Sequence, residues 1–230
     1  LCAAPGGKST HIHSLVSKDS ILVSNEVIRN RAHVLKDYIV KWGCENVMVT
    51  NNDPKDLAKL ENYFDVIVVD APCSGSGLFR REPEAIEEWS ENNVQLCSQR
   101  QRRILADVWP ALKKGGIMVY STCSYSKEED EDIVSWLISE FSIDHCPLTF
   151  DPAWGITDTG KGYRFWPDKV KGEGFFLACF RKKGGEEESL SMRIKRKPEQ
   201  VTKKELDLLE KWVMPEGLFF IKHLQTVYAW

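Results

Sequence analysis

Two cysteine-containing segments hold the residues best suited to chemistry. The first reads DAPCSGSG over residues 70–77 and places Cys73 after the apolar run 64–69; the second reads STCS over residues 121–124 and places Cys123 after the apolar run 116–120. Each apolar run predicts a strand. Ligands of open α/β sheets bind beyond the carboxyl ends of the strands, so we expect both thiols to face one pocket. Small polar residues after a strand expose a sulfur and offer backbone N–H groups to a thiolate. The pair therefore indicates thiol chemistry on a bound substrate.

A glycine-rich turn, CAAPGGK over residues 2–8, opens the chain. Glycines let a backbone approach a cofactor closely, but this turn alone is also compatible with a simple loop. Glu26 and Asp53 follow the next two predicted strands. An acid about 20 residues after such a turn can accept a hydrogen bond from a ribose hydroxyl, and Asp53 is placed to meet an adenine amino group. The three features in this order favour an adenosine-type cofactor over three solvated strand ends.

A third group beside the cysteines is Asp70, three residues before Cys73, whose carboxyl group can give or hold a proton. The chain has seven cysteines without a CxxC pair or regular spacing. This pattern argues against a disulfide framework and against a zinc cluster, so we expect no metal. Reduced thiols are typical of the cytoplasm, which is the predicted location. Packing is the expected role of Cys44, Cys97, Cys146 and Cys179.

The elements that must position these groups alternate between strand and helix, which predicts an α/β fold with a parallel sheet and helices on both faces. Strands are predicted over 21–26, 47–50, 64–69 and 116–122, and a late, antiparallel strand over 174–181. Helices are predicted over 7–17, 28–42 and 128–140, the last with an acidic start that suits the helix dipole. A further helix is predicted from an apolar face formed by Cys97, Gln101, Ile104, Val108 and Leu112.

The domain organisation is predicted from a linker. Residues 184–188 separate a main domain, 1–183, from a small C-terminal segment, 189–230, with a new and shorter pattern. Only two residues precede the alanines of the glycine turn, where a strand normally lies. We therefore expect the first strand to be truncated, and we expect the C-terminal domain to be incomplete.

Composition sets limits on partners. The net charge is −3 and the pI is about 6.0, which is not typical of a protein coated in nucleic acid. No apolar stretch approaches the ~20 residues of a membrane helix, so no membrane association is expected. Local basic groups remain: Arg80, Arg81, Arg100 and Arg103, and the run 193–197 with Lys203 and Lys204. They are candidates for RNA phosphates; the alternatives are solvated surface charge and a basic linker.

The three motifs together resemble the Sun-type RNA (cytosine-5) methyltransferases. The resemblance covers residues 1 to about 182, and residues 162–181 are similar to the closing segment of that family. Glu26 and the additional segment after the linker most resemble the bacterial RsmF-type rRNA enzymes.

The resemblance implies a Rossmann-like class I methyltransferase fold with a mostly parallel, seven-stranded-type sheet. It implies transfer of a methyl group to C5 of a cytosine in RNA, with Cys123 as the nucleophile that adds to C6, Cys73 assisting product release and Asp70 as the acid near N3. The implied cofactor is S-adenosylmethionine. The residues implied to bind it are Cys2, Ala3, Ala4, Pro5, Gly6, Gly7, Lys8, Glu26, Arg31, Asp53 and Asp70. The implied partner is rRNA or the small ribosomal subunit, and a monomer is expected.

Three alternatives remain open from the sequence. The RNA substrate could be tRNA. The enzyme could act on DNA with Cys73 as the nucleophile, although Cys123 then has no assigned role. The chain could also be an RNA-binding or ribosome-assembly module that retains the cofactor pocket without turnover; two intact cysteines beside Asp70 argue against it.

Overall fold

The computed structural model describes residues 1–184, 199–213 and 218–229. These residues belong to two compact units, Leu1–Glu188 and Ser189–Trp230. The first unit carries the cysteine segments and the glycine turn.

The described helices and strands follow the predicted alternation in the first half of the chain. The helices are α1 (Gly7–Leu15), α2 (Arg29–Trp42), α3 (Pro54–Leu57), α4 (Glu84–Glu88), α5 (Glu91–Val108), α6 (Glu131–Glu140) and α7 (Lys203–Leu209). The strands are β1 (Leu22–Asn25), β2 (Val47–Thr50), β3 (Phe64–Asp70), β4 (Leu112–Thr122), β5 (Ile143–His145), β6 (Thr157–Asp158), β7 (Tyr163–Phe165), β8 (Phe175–Lys182), β9 (Phe220–His223) and β10 (Thr226–Ala229).

The strands form a mixed arrangement. β1 pairs with β2 in parallel, and β3 pairs with β4 in parallel. β8 runs antiparallel to β4, as predicted, and extends the sheet through β7 to β6, while β5 pairs with another part of β8. Helices flank this sheet, and the α/β class is confirmed. The parallel pair β3–β4 is the part of the sheet that carries both cysteines.

The first three residues lie between the two parallel pairs. The Ala3 amide donates to the Asn25 carbonyl oxygen of β1 at 3.0 Å. The Leu1 amino group donates to the Val68 carbonyl oxygen of β3 at 2.6 Å, and the Asp70 amide donates to the Leu1 carbonyl oxygen at 3.4 Å. The backbone of residues 1–3, with Cys2 at a φ of +55°, thus links β1 to β3 and leads directly into the glycine turn.

The core is centred on the face of the sheet that packs against α5 and α6. Leu105 of α5, Met118 and Tyr120 of β4, Leu137 of α6 and Phe176 of β8 are fully buried. Burial of large apolar side chains from four elements fixes these elements around β4.

The helix predicted to include Leu112 ends earlier, so that prediction was wrong at its carboxyl end. α5 ends at Val108, a short 3₁₀ turn covers Trp109–Ala111, and Leu112 begins β4. Pro110 explains the end, because its ring removes a backbone N–H and is incompatible with a continuing α-helix.

The second unit is described from α7 and a hairpin. Thr202 and Glu205 form a capping box at the start of α7. Lys222 of β9 contacts Glu205 at 2.6 Å, and β9 pairs with β10 antiparallel. Lys203 begins α7. The basic run 193–197 lies outside the described residues, and the RNA-binding role of this unit stays a prediction.

No helix within the described ranges combines the length and the apolar character needed to cross a membrane.

Replacing Leu105 by alanine should lower the free energy of unfolding by about 2–5 kcal/mol, because a fully buried leucine leaves a cavity. Denaturant unfolding followed by circular dichroism measures the change. Leu96 is a matched control on the same helix, 60% exposed, and Leu96→Ala should change stability by only about 0.5 kcal/mol. Equal losses for both variants would contradict this account of the core.

Candidate active site

The two predicted cysteines meet at one edge of the sheet. Cys123 follows the last residue of β4, and Cys73 lies three residues beyond the end of β3. Their sulfur atoms are 3.1 Å apart, and both side chains are partly exposed. The parallel pairing of β3 and β4 brings the two loops together, as the sequence predicted.

The loops are held close by backbone contacts that need a glycine. The Gly77 amide donates to the Cys123 carbonyl oxygen at 2.8 Å. A Cβ atom at Gly77 would lie 2.5 Å from the Gly174 carbonyl oxygen and 2.7 Å from that of Cys123. Any other residue would therefore push the Cys73 loop away from the Cys123 loop.

A cation and an anion lie beside the thiols. Lys8 Nζ donates to Asp70 Oδ2 at 2.7 Å, and Ser121 Oγ donates to Asp70 Oδ1 at 3.0 Å. Lys8 comes from the glycine turn and Asp70 from the end of β3. This ion pair connects the predicted cofactor turn with the predicted catalytic edge.

The two thiols are electrostatically unequal. The hydrogen bond from Cys73 lowers the pKa of Cys123, although burial opposes the shift, and the positive charge of Lys8 acts in the same lowering direction. The same hydrogen bond raises the pKa of Cys73 strongly, together with burial of its sulfur. The arrangement favours a proton on Cys73 and a thiolate on Cys123. A thiolate is the nucleophilic form of cysteine.

The glycine turn contacts Glu26 and Arg31. The fully buried Glu26 carboxylate accepts from the Ala4 amide at 3.4 Å and from the Ile28 amide at 3.1 Å. Arg31 donates to the Ala4 carbonyl oxygen at 2.9 Å, and its guanidinium lies 3.8 Å from Glu26. Gly6 has a φ of +126°, a conformation that favours glycine.

Asp53 has other partners. It caps α3 by accepting from the Lys55 amide at 3.2 Å, and it forms an ion pair with Arg103 at 2.6 Å. The hydrogen bond from Arg103 lowers the pKa of Asp53. Its role toward an adenine group stays a prediction.

The candidate phosphate-binding arginines also have protein partners. Arg103 contacts Asp53 and Asp107, Arg81 contacts Glu82 and Glu173, and Arg80 donates to the carbonyl oxygens of Pro167 and Gly172. Arg100 is exposed. Binding of RNA phosphates by these arginines stays a prediction.

The sequence analysis missed a buried acid beneath the cysteine loops. Glu129 belongs to the acidic run that was expected to face the start of a helix, yet it is fully buried. Its carboxylate accepts from the Ser74 amide at 2.7 Å, and from the hydroxyl groups of Ser74 and Ser124, each at 2.5 Å. Nothing in the sequence of this run of five acids distinguishes Glu129 from the exposed Glu128.

A second missed acid, Asp130, anchors the end of β4. Thr122 donates to Asp130 Oδ1 at 2.5 Å. Burial raises the pKa of Asp130 to about 8 and outweighs the lowering effects of the hydrogen bond from Thr122 and of Arg164, which lies 3.1 Å away. Arg164 also donates to Glu131 at 2.5 Å and 2.7 Å. Arg164 thus ties β7 to the segment that follows Cys123.

The histidine, cysteine and acidic side chains of the described ranges form no cluster of three suited to a metal ion.

Comparison with known proteins identifies the family. The sequence model of the family "16S rRNA methyltransferase RsmB/F" matches residues 1–181. The chain belongs to this family. The resemblance predicted from the motifs is thereby confirmed.

A curated relative is the ribosomal RNA small subunit methyltransferase F of Pectobacterium atrosepticum, which is 35% identical over 190 residues. The match covers 80% of this chain and 39% of the relative. The chain thus spans about two fifths of the length of the curated relatives it matches.

Two solved structures are similar. NSun6 from Pyrococcus horikoshii, solved with an analogue of S-adenosylmethionine, is 31% identical, with a TM-score of 0.71 over 80% of this chain and 47% of that one. A SAM-dependent O-methyltransferase from Thermotoga maritima is 15% identical, with a TM-score of 0.50 over 81% of this chain and 58% of that one. The latter supports the fold alone, which is the class I methyltransferase fold.

The unequal thiols make a prediction about alkylation. In the full-length protein, Cys73→Ala removes the hydrogen bond that lowers the pKa of Cys123, so the pH midpoint for alkylation of Cys123 by iodoacetamide should rise. Peptide mapping by mass spectrometry across pH 6–10 measures it. Cys44→Ala is the control, since it removes another partly buried thiol and should leave the midpoint unchanged. An unchanged midpoint in Cys73→Ala would contradict the assignment of the proton to Cys73.

Proposed function

We propose that this chain carries the catalytic domain of an enzyme that transfers a methyl group from S-adenosylmethionine to C5 of a cytosine in ribosomal RNA, through a covalent bond between Cys123 and C6. The observation that carries the proposal is the pair of thiols, 3.1 Å apart, at the carboxyl ends of two adjacent parallel strands and beside the Lys8–Asp70 ion pair.

The residues present fit the proposed cofactor. Gly6 allows the turn to pack closely, since a Cβ there would lie 3.2 Å from both Leu35 and Tyr38. α1 begins at Gly7 without a side-chain cap, which leaves its first amides for an anionic group. We assign residues 2–8, Glu26, Arg31, Asp53 and Asp70 to the binding of S-adenosylmethionine. When bound, S-adenosylmethionine supplies the electrophilic methyl group.

Cys123 is assigned as the nucleophile. C5 of cytosine is a poor nucleophile, and addition of a thiolate to C6 converts the C5–C6 double bond into an enamine-like system that can attack an electrophile. The lowered pKa of Cys123, caused first by its hydrogen bond from Cys73, provides the thiolate.

Asp70 and Lys8 are assigned to the opposite side of the base. Addition at C6 moves electron density toward N3, where a proton donor stabilises the product of addition. Lys8 donates to Asp70 Oδ2 at 2.7 Å, so a proton can pass from the Lys8 ammonium to Asp70, which then donates it to N3.

Cys73 is assigned to the last step. The proton on C5 must leave and the bond between C6 and Cys123 must break, which regenerates the aromatic base and the Cys123 thiolate. The high pKa of Cys73 depends first on the hydrogen bond to Cys123. Once Cys123 is bonded to carbon, it carries no negative charge, so Cys73 can release its own proton to solvent water. The resulting Cys73 thiolate then accepts the proton from C5, directly or through a bridging water.

The alternatives differ in substrate or in nucleophile. A tRNA substrate requires the same chemistry. An enzyme that methylates cytosine in DNA would use Cys73 as the nucleophile, whereas the pKa shifts of the two cysteines favour the thiolate on Cys123. A base must leave its stack to enter such a pocket in either nucleic acid. Bisulfite sequencing of RNA and DNA after incubation with the full-length protein and S-adenosylmethionine distinguishes these alternatives, and no conversion-resistant cytosine in either would indicate a non-catalytic module.

Alanine variants of the two cysteines should block the reaction at different steps. Cys123→Ala should abolish methylation and form no adduct, because the nucleophile is absent. Cys73→Ala should still attack and methylate, but it should accumulate as a covalent RNA complex, visible as a slower band on a denaturing gel.

The double variant should give no slower band, and Cys44→Ala should behave as the wild type. The reverse pattern, with the adduct in Cys123→Ala, would exchange the assigned roles. Absence of an adduct from both folded, RNA-binding single variants would contradict covalent catalysis by this pair.

A further inference from the structure

Glu129 has no part in the chemistry proposed above, yet it is a fully buried carboxylate at the base of the cysteine loops. It ends the short 3₁₀ turn Lys127–Glu129, directly before α6. Burying a charged group is costly unless hydrogen bonds compensate for the lost water. The hydrogen-bond partners of Glu129 therefore show which segments of the chain it holds in place.

Each oxygen of Glu129 reaches toward the loops. Oε1 accepts from the Ser74 amide at 2.7 Å and from Gln101 Nε2 at 3.3 Å. Oε2 accepts from the Ser74 hydroxyl and from the Ser124 hydroxyl, each at 2.5 Å. One side chain thus joins the loop after β3, the loop after β4 and α5.

The loop residues that Glu129 binds are the immediate neighbours of the thiols. Ser74 follows Cys73, and Ser124 follows Cys123. Ser124 Oγ also accepts from the Ser126 amide at 3.0 Å, so its position is fixed from two sides. A shift of either serine moves the adjacent sulfur.

The backbone of Glu129 is itself fixed. The buried Tyr120 hydroxyl donates to the Glu129 carbonyl oxygen at 2.6 Å, and Ser98 donates to the Glu128 carbonyl oxygen at 2.9 Å. Tyr120 belongs to β4 and Ser98 to α5. Glu129 therefore connects β4 and α5 to the two cysteine loops through hydrogen bonds.

We infer that Glu129 is a positioning residue that sets the separation of Cys73 and Cys123, and that it thereby controls whether the covalent RNA adduct is resolved or accumulates. The second part rests on the proposed function. The first part concerns the free protein and can be tested without RNA.

The charge and the length of this side chain both matter. All four partners are donors, and an ionised carboxylate is an acceptor only, so it matches them. Glu129→Gln keeps the size but removes the negative charge and replaces one carboxylate oxygen with an NH2 group, so the donors that faced that oxygen lose a charged acceptor. Glu129→Asp keeps the charge but is one methylene shorter, so it cannot reach both serines. Glu128→Gln is the matched control, because Glu128 is the exposed preceding acid.

The separation of the thiols is measured by their oxidation in the full-length protein without RNA. The thiol reagent diamide accepts two electrons and two protons from the pair and leaves a disulfide between Cys73 and Cys123, which peptide mapping quantifies. Glu129→Gln and Glu129→Asp should form this disulfide roughly tenfold more slowly than the wild type and Glu128→Gln. Equal rates in folded variants would overturn the positioning role.

The effect on the reaction is measured by two quantities, the rate of methylation and the fraction of protein trapped as the covalent RNA adduct. Misplaced Cys73 should slow resolution, so Glu129→Gln should turn over roughly ten- to a hundredfold more slowly while the fraction of protein trapped on RNA rises. A merely structural role would lower the adduct and the product together, in proportion to the folded fraction, and would overturn the inference.

Should the Glu129 variants not fold, Ser74→Ala removes a single hydroxyl partner of Oε2, on the residue that follows Cys73, and tests the same claim. It should slow the disulfide and raise the trapped fraction, although less than Glu129→Gln; no change in either would overturn the inference. Failure of the proposed function has a different signature, in which the wild type itself gives neither methylated RNA nor adduct while the oxidation rates still separate Glu129→Gln from Glu128→Gln.

Discussion

The parallel pairing of β3 with β4 is the constraint on which the site depends. Its register aligns Asp70 with Ser121 at the carboxyl ends of the two strands. Because both strands end at the same level, the chain that leaves each one enters the same space, and the loops bring Cys73 and Cys123 to a separation of 3.1 Å. A shift of register by one residue would turn the side chains of one strand to the other face of the sheet. The positions of the two thiols therefore depend first on the pairing of these strands.

Strand pairing alone does not hold the loops, and buried charge completes the arrangement. Glu129 binds the serines next to the two cysteines, while Asp130 accepts from Thr122 and lies against Arg164. Hydrogen bonds offset the free-energy cost of burying these charged groups, and removing one partner leaves the others unsatisfied. Hydrogen bonds thus hold the region beneath the loops, whereas the two thiols above it are partly exposed.

Much of this was predictable from sequence because strong local signals agree with the fold. The predicted strand 47–50 matches β2, and Gly43 ends α2 in the left-handed conformation, with a φ of +74°. The approach of Cys73 to Cys123 followed from two apolar runs that each end in small polar residues. Pro110 was present in the sequence, but the apolar spacing that continued to Leu112 outweighed it in the predicted end of α5.

The buried acids were not predictable, because their burial depends on contacts between residues far apart in the chain. Glu129 meets Ser74 across 55 positions, and Arg164 meets Glu131 across 33. An acidic run reads as a solvated helix start unless the donors that face it are known. The same applies to Asp53, whose pairing with Arg103 joins α3 to α5.

The central claim is that Cys123 forms the bond to the base, and trapping tests it most directly. The full-length protein is incubated with S-adenosylmethionine and an RNA in which cytosine is replaced by 5-fluorocytosine. The fluorine cannot leave C5 as a proton does, so the covalent complex persists. Protease digestion and mass spectrometry then locate the nucleotide. We predict the nucleotide on the peptide that contains Cys123. A nucleotide on the Cys73 peptide, or no adduct under conditions in which unmodified RNA is methylated, would contradict the account.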